Sequence, residues 1–124
     1  MKLYFSVTKE EQARRFERRK TDPLRQWKLS EIDVQAQDRW DEFTNQKYEM
    51  LKRTNTTHAP WTIVRSIDKH LARLNAIKVI LNAVPYERLQ PDIDFVPDHD
   101  VVISGSRELE LMEAQRLQQG KFVG

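Results

Sequence analysis

LYFSVTKEEQARRFERRKTDPLRQWKLSEID, residues 3–33, decides the fold of this 124-residue chain. Its first part, with Lys2 ahead of it, is rich in aromatic and β-branched residues, which predicts a strand over residues 2–7. Thr8-Lys-Glu-Glu11 is a capping box, with Thr8 as N-cap and Glu11 expected to reach back to it. A helix is predicted from residue 9 to 20 or 21, supported by the i,i+4 pairs Glu10/Arg14 and Glu11/Arg15. Asp22-Pro23 stops it, because a residue before proline avoids the helical region. Ser30-Glu-Ile-Asp33 is a second box, so another helix starts near Glu31.

The same stretch is strongly basic: residues 14–33 hold seven Arg and Lys. Arg14/Arg18 and Arg15/Arg19 form neighbouring ridges one turn apart. A cationic last turn suits the helix dipole, which accounts for any one of these arginines without a ligand. Four packed together repel one another unless an anion lies over them, and guanidinium groups match phosphate oxygens in bidentate fashion. The segment therefore reads as a basic lid over a phosphate-rich substrate. Trp27 either joins a core, stacks on a base or braces that lid.

Outward from this stretch, composition sets the limits. The length suits one domain. An apolar fraction of 39% with 32% charged residues fits a modest core under a charged surface, or a piece of a larger fold. Net charge is only +2, but residues 14–28 are basic and residues 87–113 lean acidic, so the charge is local and implies an anionic partner. There is no cysteine, which excludes disulfides and thiolate metal sites. His58, His70 and His99 are far apart and read as surface residues. No apolar run approaches the roughly 20 residues of a membrane span, and the apolar start is too short for a signal peptide, so a cytoplasmic location is expected. The only glycines are Gly105, Gly120 and Gly124, so the first hundred residues contain neither a Walker-type GxxxxGK[ST] loop nor GxGxxG.

Further along, residues 38–53 predict a helix whose Trp40, Phe43, Tyr48 and Leu51 face a core, with Met50 at the edge. TNTT at residues 54–57 is a loop, Ala59-Pro60 a turn, and WTIVR at residues 61–65 a second strand. Ser66 is expected to cap a helix over residues 67–84, stopped by Pro85, with Ile67, Leu71, Leu74, Ile77, Leu81 and Val84 as its core face. Lys69 and Arg73 lie in its first two turns, where the dipole disfavours cations by roughly 0.3–1 kcal/mol each. A ligand, an acidic partner or a salt bridge to Asp68 would offset that. Pro85, Pro91 and Pro97, with acids between them, read as an extended tail. Ser106 is expected to cap a last helix over residues 107–119, with Leu109, Met112 and Leu117 on one side and Gly120 as its stop. That helix either docks on a neighbouring subunit or frays. The order is β–α–β–α with two parallel strands joined by a crossover. Two strands make a marginal sheet, so the fold class is α/β, mostly helical by residue count, and looks like the end of a larger sheet.

The stretch quoted above, followed by RW…F…K…M…T…APWTIVRSIDKHLARLNAI and VPYE, resembles the C-terminal half of the polyphosphate kinase 2 family. These are P-loop-type kinases that move a phosphoryl group between inorganic polyphosphate and nucleotides. The resemblance covers residues 2 to about 87 and rests on DP-L-x-Q-W-K-L-S, APW and the A-R-L-N of residues 72–75. It implies a P-loop-kinase-like parallel sheet with a helical lid at about residues 14–53, in a domain over residues 1–87, followed by an extension over residues 88–124. It implies phosphate or nucleotide contacts from Arg14, Arg15, Arg18, Arg19 and Lys28, and a polyphosphate path along Lys69 and Arg73. The Walker A and B segments have no counterpart here, so no catalytic set is complete in this chain and no metal ligand is assigned. Mg²⁺ is expected to be held mainly by the missing half.

Three departures touch the site. Asn55 stands for the acid of the family's TDT. Ile67, His70 and Leu71 replace polar or basic residues at the start of the last core helix. Glu31 stands where proline is common. The expected function is the lid part of a polyphosphate:nucleotide phosphotransferase, inactive alone. The alternative is a stand-alone binder of polyanions or nucleotide phosphates, or an accessory subunit without catalysis. Expected partners are polyphosphate, nucleoside phosphates and either a second copy or a complementing N-terminal half; neither a membrane nor nucleic acid is expected.

Overall fold

The computed structural model describes residues 1–87 and 92–124. Strand β1 (Lys2–Ser6) leads into helix α1 (Lys9–Thr21). A single 3-10 turn (Gln26–Lys28) and the short helix α2 (Glu31–Ala36) follow, then helix α3 (Trp40–Thr54). Strand β2 (Trp61–Arg65), helix α4 (Lys69–Ala83), strand β3 (Val102–Ser104) and helix α5 (Gly105–Gln119) complete the order.

The helices are capped near the expected starts, with three changes. Thr8 Oγ1 accepts from the Glu11 backbone N–H at 3.2 Å, but the Glu11 carboxylate does not reach back to the cap. Arg14 and Arg15 take it instead, Arg14 in place of the expected Glu10 pairing. The Ser30/Asp33 box is complete in both directions, at 3.1 and 3.0 Å. Asp68, not Ser66, caps α4, accepting from the N–H groups of His70 and Leu71. Ser104, not Ser106, caps α5, whose end at Gly120 has a left-handed φ of 76° that glycine adopts without strain.

The sheet has three strands, not two, in the order β1-β2-β3. β1 and β2 are parallel, with Lys2 opposite Trp61 and Ser6 opposite Arg65. β3 adds antiparallel, with Ile63 opposite Ile103. The expected parallel pair is present; the third strand comes from residues read as extended tail.

One face of the sheet packs on α3 and α5. Leu51, Ile63 and Met112 are fully buried there, Tyr48 stacks on Phe122 with ring centres 4.4 Å apart, and Tyr4, Trp61 and Leu109 close the rim. Met112 and Phe122, beyond residue 100, thus complete the principal core. Gly105 sits where α5 starts against the end of α3: a Cβ there would meet Asn55 Oδ1 at 2.7 Å and Trp61 Cβ at 2.9 Å. Beneath this layer Lys47 and Glu108 form a buried ion pair joining α3 to α5. On the other face α4 covers Val64 with Ala72 and Ala76.

Two core expectations are corrected. Phe43 is half exposed, because α3 instead buries Trp40, Thr44, Tyr48 and Leu51, the last two in the core with Ile63 of β2. The large aliphatic face of α4 points away from the sheet: Ile67, Leu71, Leu74, Ile77 and Val84 are all exposed. Among the described residues, no helix is long and apolar enough to cross a membrane.

Candidate functional site

Helix α1, the 3-10 turn after it and the N-terminal end of α4 surround a polar cleft of about 510 Å³. α1 supplies Glu11, Arg14, Arg15, Arg18 and Arg19; the turn supplies Arg25 and Lys28; α4 supplies Ile67, Asp68, Lys69 and His70. The Asp22-Pro23 break makes this possible. It ends α1 and folds the chain back, with Asp22 Oδ1 accepting from Leu24 N–H at 3.0 Å and Arg25 paired to Asp22 at 2.8 Å. The N-terminus of α4, a partial positive charge in itself, opens into the same space.

Seven cations face two carboxylates in this cleft, and both carboxylates are engaged. Glu11 is buried and shared between Arg14 Nε at 2.7 Å and Arg15 Nε at 2.6 Å. The Arg14 hydrogen bond, reinforced by that of Arg15, overcomes the opposing effect of burial and holds the Glu11 carboxyl at about 2. Asp68 spends its carboxylate on the α4 cap. Arg19 reaches Asp33 at 3.5 Å, which ties α1 to α2. Arg18 and Lys69 make no ion pair among the described residues. Desolvation pushes the Lys69 pKa below the usual lysine value, and the charges of Arg15, Arg19, Arg73 and Arg25 push it further. Positive charge is thus concentrated beyond what the protein itself neutralises, an arrangement suited to a multivalent anion.

Six of the seven cations singled out in the sequence, Arg14, Arg15, Arg18, Arg19, Lys28 and Lys69, line one cleft. Arg73 lies one turn further along α4, outside the lining but near enough to depress Lys69. Arg15 is largely structural: besides Glu11 it donates to the Ser66 carbonyl and, at 3.1 Å, to that of Ile67, joining α1 to the loop after β2. Arg25 was not singled out; its place five residues before a helix-capping serine and three after Asp22 hid it in a turn. Trp27 is not core. It is 78% exposed, its Nε1–H donates to the Leu24 carbonyl at 3.0 Å, and Lys28 Nζ lies 5.1 Å from its ring centre.

Among the described residues no cluster of His, Asp and Glu is arranged to hold a metal ion. Arginines hold both Glu11 oxygens and the α4 cap uses Asp68 Oδ1, so the cleft offers Mg²⁺ no pair of free carboxylates. Asn55 accepts from Trp61 N–H at 2.8 Å and donates to Ser106 Oγ at 3.0 Å, which fastens β2 and α5 together away from the cleft lining.

A model of the family described as polyphosphate kinase 2 matches residues 1–92. The chain is 45% identical over 109 residues to a GDP-polyphosphate phosphotransferase of Pseudomonas aeruginosa, a match that covers 88% of this chain and 30% of that protein. It is 48% identical over 101 residues to NDP-polyphosphate phosphotransferase 2 of Ruegeria pomeroyi, covering 82% of this chain and 29% of that protein. It is also 48% identical over 96 residues to ADP-polyphosphate phosphotransferase 3 of Rhizobium meliloti, covering 75% of this chain and 34% of that protein. The chain therefore spans about a third of the length of these relatives.

Proposed function

Because this chain belongs to the polyphosphate kinase 2 family, we propose that its cleft holds the phosphates of polyphosphate or of a nucleotide, as the lid of a polyphosphate:nucleotide phosphotransferase. The observation that carries this is the convergence of seven cations, drawn from α1, the turn after it and α4, on one cleft whose two carboxylates are already engaged. Arg18, Lys28 and Lys69 would meet phosphate oxygens first. Arg14 and Arg19 would add charge while held by Glu11 and Asp33, and Arg73 would extend the path along α4.

Phosphoryl transfer asks the protein for in-line positioning and for positive charge over the transferring oxygens. This cleft would supply the charge and, with α1 and α2 as its cover, would exclude water. Mg²⁺, when bound to the phosphates in a complete enzyme, neutralises further charge; its protein ligands would lie outside this cleft. These 124 residues contain no glycine-rich phosphate loop. The chain alone is therefore expected to bind the anion without transferring phosphate, in a cytoplasmic setting where nucleotides and polyphosphate are present.

Two measurements test this. Polyphosphate should bind the purified chain with an affinity that falls steeply with salt, as counterion release requires. Incubation with polyphosphate, Mg²⁺ and ADP or GDP should yield no triphosphate; robust turnover would overturn the inactive-lid proposal. Absence of polyphosphate binding at low salt would overturn the cleft assignment and favour an accessory role. The second reading, a stand-alone polyanion binder, has in its favour that the cleft's lining is complete within this chain. It gains if binding is tight with no added protein, and loses if affinity needs the remainder of a relative.

A further inference from the structure

The residues read as a lid return to the core at one corner, where α2 ends and α3 begins. Local sequence holds that corner weakly. Arg39, at the N-cap of α3, has φ −99° and ψ 20° and makes no side-chain capping bond. Its guanidinium turns to Glu42 instead, at 2.6 Å. The Trp40 N–H reaches the Gln37 carbonyl only at 3.4 Å. A helix start without a cap leaves backbone N–H groups unsatisfied and frays readily. Helix α1 supplies an outside tie: Gln37 Nε2 donates to the Lys9 carbonyl at 3.2 Å and to Gln12 Oε1 at 2.7 Å.

Further fastening comes from the far end of the sequence. After α5 stops at Gly120, residues 121–124 cross the start of α3. Lys121 Nζ pairs with Asp41 at 2.9 Å, but this pair is exposed and contributes little by itself. Phe122 is buried against Tyr48, further along α3, and anchors the segment in the core. Beyond that anchor Trp40 Nε1–H donates to the Val123 carbonyl at 2.9 Å, and Val123 N–H donates to Gln115 Oε1 at 3.2 Å. Gly124 lies so close to the Trp40 indole that a Cβ would meet Cζ2 at 3.0 Å. Gly124 also lines three cavities, of about 270, 320 and 220 Å³, whose other walls come from β1, the starts of α1 and α3, and α5. The segment thus fills a joint that is otherwise loosely packed, and Trp40 is where it meets the lid corner.

We propose that residues 121–124 are a strap that positions the lid: by gripping Trp40 they hold the uncapped start of α3, and their release frees α2 and loosens the cationic cleft beside it. This rests on reading α1 and α2 as a lid over phosphate, and adds a control outside the residues 1–92 that the family model matches. Trp40 and Gln37 are positioning residues; neither lines the phosphate cleft. With the strap engaged, the corner is fixed from α5 through Val123 and Trp40, and from α1 through Gln37. The cleft then stands preformed. With the strap released, binding must first order the corner, so the apparent affinity falls by the fraction of chains in which the corner is formed.

The test compares the full chain with one ending at Phe122, which keeps the core anchor and loses the grip on Trp40. Trp40→Phe is the second variant: an aromatic ring stays in the buried site and the Nε1–H donor goes. In both, backbone hydrogen exchange over residues 31–43 should quicken about tenfold while Ile63 and Met112 stay protected. Polyphosphate affinity should fall about three- to tenfold with its salt dependence unchanged, because no phosphate contact is lost. Saturating polyphosphate should return exchange over residues 31–43 to the parent rate. Arg18→Ala should do the reverse, flattening the salt dependence and leaving exchange as it was. Met112→Ala shows what a merely structural loss does, with exchange quickened across the core. Equal exchange over residues 31–43 in parent and variants overturns the strap. So does quickening spread evenly through the core, or a faster corner with unchanged affinity. A parent chain that fails to bind polyphosphate at low salt overturns the lid reading and this proposal with it; equal exchange, measured without any ligand, is the failure of the strap alone.

Discussion

Arg15 and Arg18 stand on the same helix and illustrate why a cluster of arginines cannot be treated as equivalent. Arg15 is held by Glu11 and by two carbonyls of the β2–α4 loop, with its side chain 19% exposed. Arg18 is exposed and makes no ion pair among the described residues. Arg15→Ala should therefore destabilise the fold by about 1–3 kcal/mol, because the buried Glu11 carboxylate loses one of its two partners and the part-buried Ser66 carbonyl loses its donor. Arg18→Ala should change stability by less than about 0.5 kcal/mol, because nothing in the fold leans on it. Thermal melts and polyphosphate titrations on both variants distinguish the two roles. The titratable groups add a pH signature. Glu11 has a folded pKa of about 2 against an ordinary value of 4.5, so its contribution is fully present above 4.5 and is lost as pH falls through 2. Glu11→Gln should flatten that part of the acid unfolding curve. Lys69 also has a lowered folded pKa, but there it is the charged form that costs stability, so the ligand-free fold is relieved of that cost as pH rises through that range. A bound polyanion would restore the lysine's proton, so polyphosphate binding should take up protons at alkaline pH and weaken as pH rises, an effect absent in Lys69→Met. In the sequence the four arginines of α1 stood out by their spacing, and Lys28 joined them through the family resemblance. The division of labour between Arg15 and Arg18 did not, because it depends on where the Ser66 and Ile67 carbonyls lie.

At the scale of elements, what could be read in advance was what is local. Thr8, Ser30, Asp22-Pro23 and Gly120 are starts and stops whose chemistry acts within a few residues, and α1, α2 and the end of α5 follow from them. β2 runs over Trp61–Arg65, as its β-branched run predicts. The misses are tertiary. β3 is three residues long and follows a proline- and aspartate-rich stretch, too short for alternation to show. The pattern of α4 identified an apolar helix, but not that Ala72 and Ala76 would be the residues meeting its own sheet. α5 was read as docked elsewhere or frayed, yet it completes the core through Met112, which is fully buried. Met112→Ala should accordingly cost about 2–5 kcal/mol, while Leu117→Ala, 84% exposed on the same helix, should cost almost nothing. The buried Lys47–Glu108 pair gives a second check on this packing. Removing either partner alone should destabilise by about 3–5 kcal/mol, and replacing both with apolar residues of similar volume should recover most of the loss in a double-mutant cycle by denaturant unfolding.

For the molecule as a whole, the parallel pairing of β1 with β2 carries a consequence for its synthesis. Lys2 finds its partner Trp61 only after α1, α2 and α3 have been made, and the core is closed last by residues near Phe122. Closing so long a loop before any strand pairing is gained makes folding slow, since non-local contacts repay their entropy late. At about 5–20 residues per second, β1 would leave the ribosome several seconds ahead of β2. During that interval its aromatic side chains and both its edges are open to other chains. Helices α1 and α2, whose caps are local, can form within microseconds of emerging and would wait on the sheet. Refolding followed by amide protection should therefore show α1 and α2 flickering early and unprotected, with β1 and β2 gaining protection together in the slow phase. Co-translational association of this chain with any partner strand would compete for β1 in that same window.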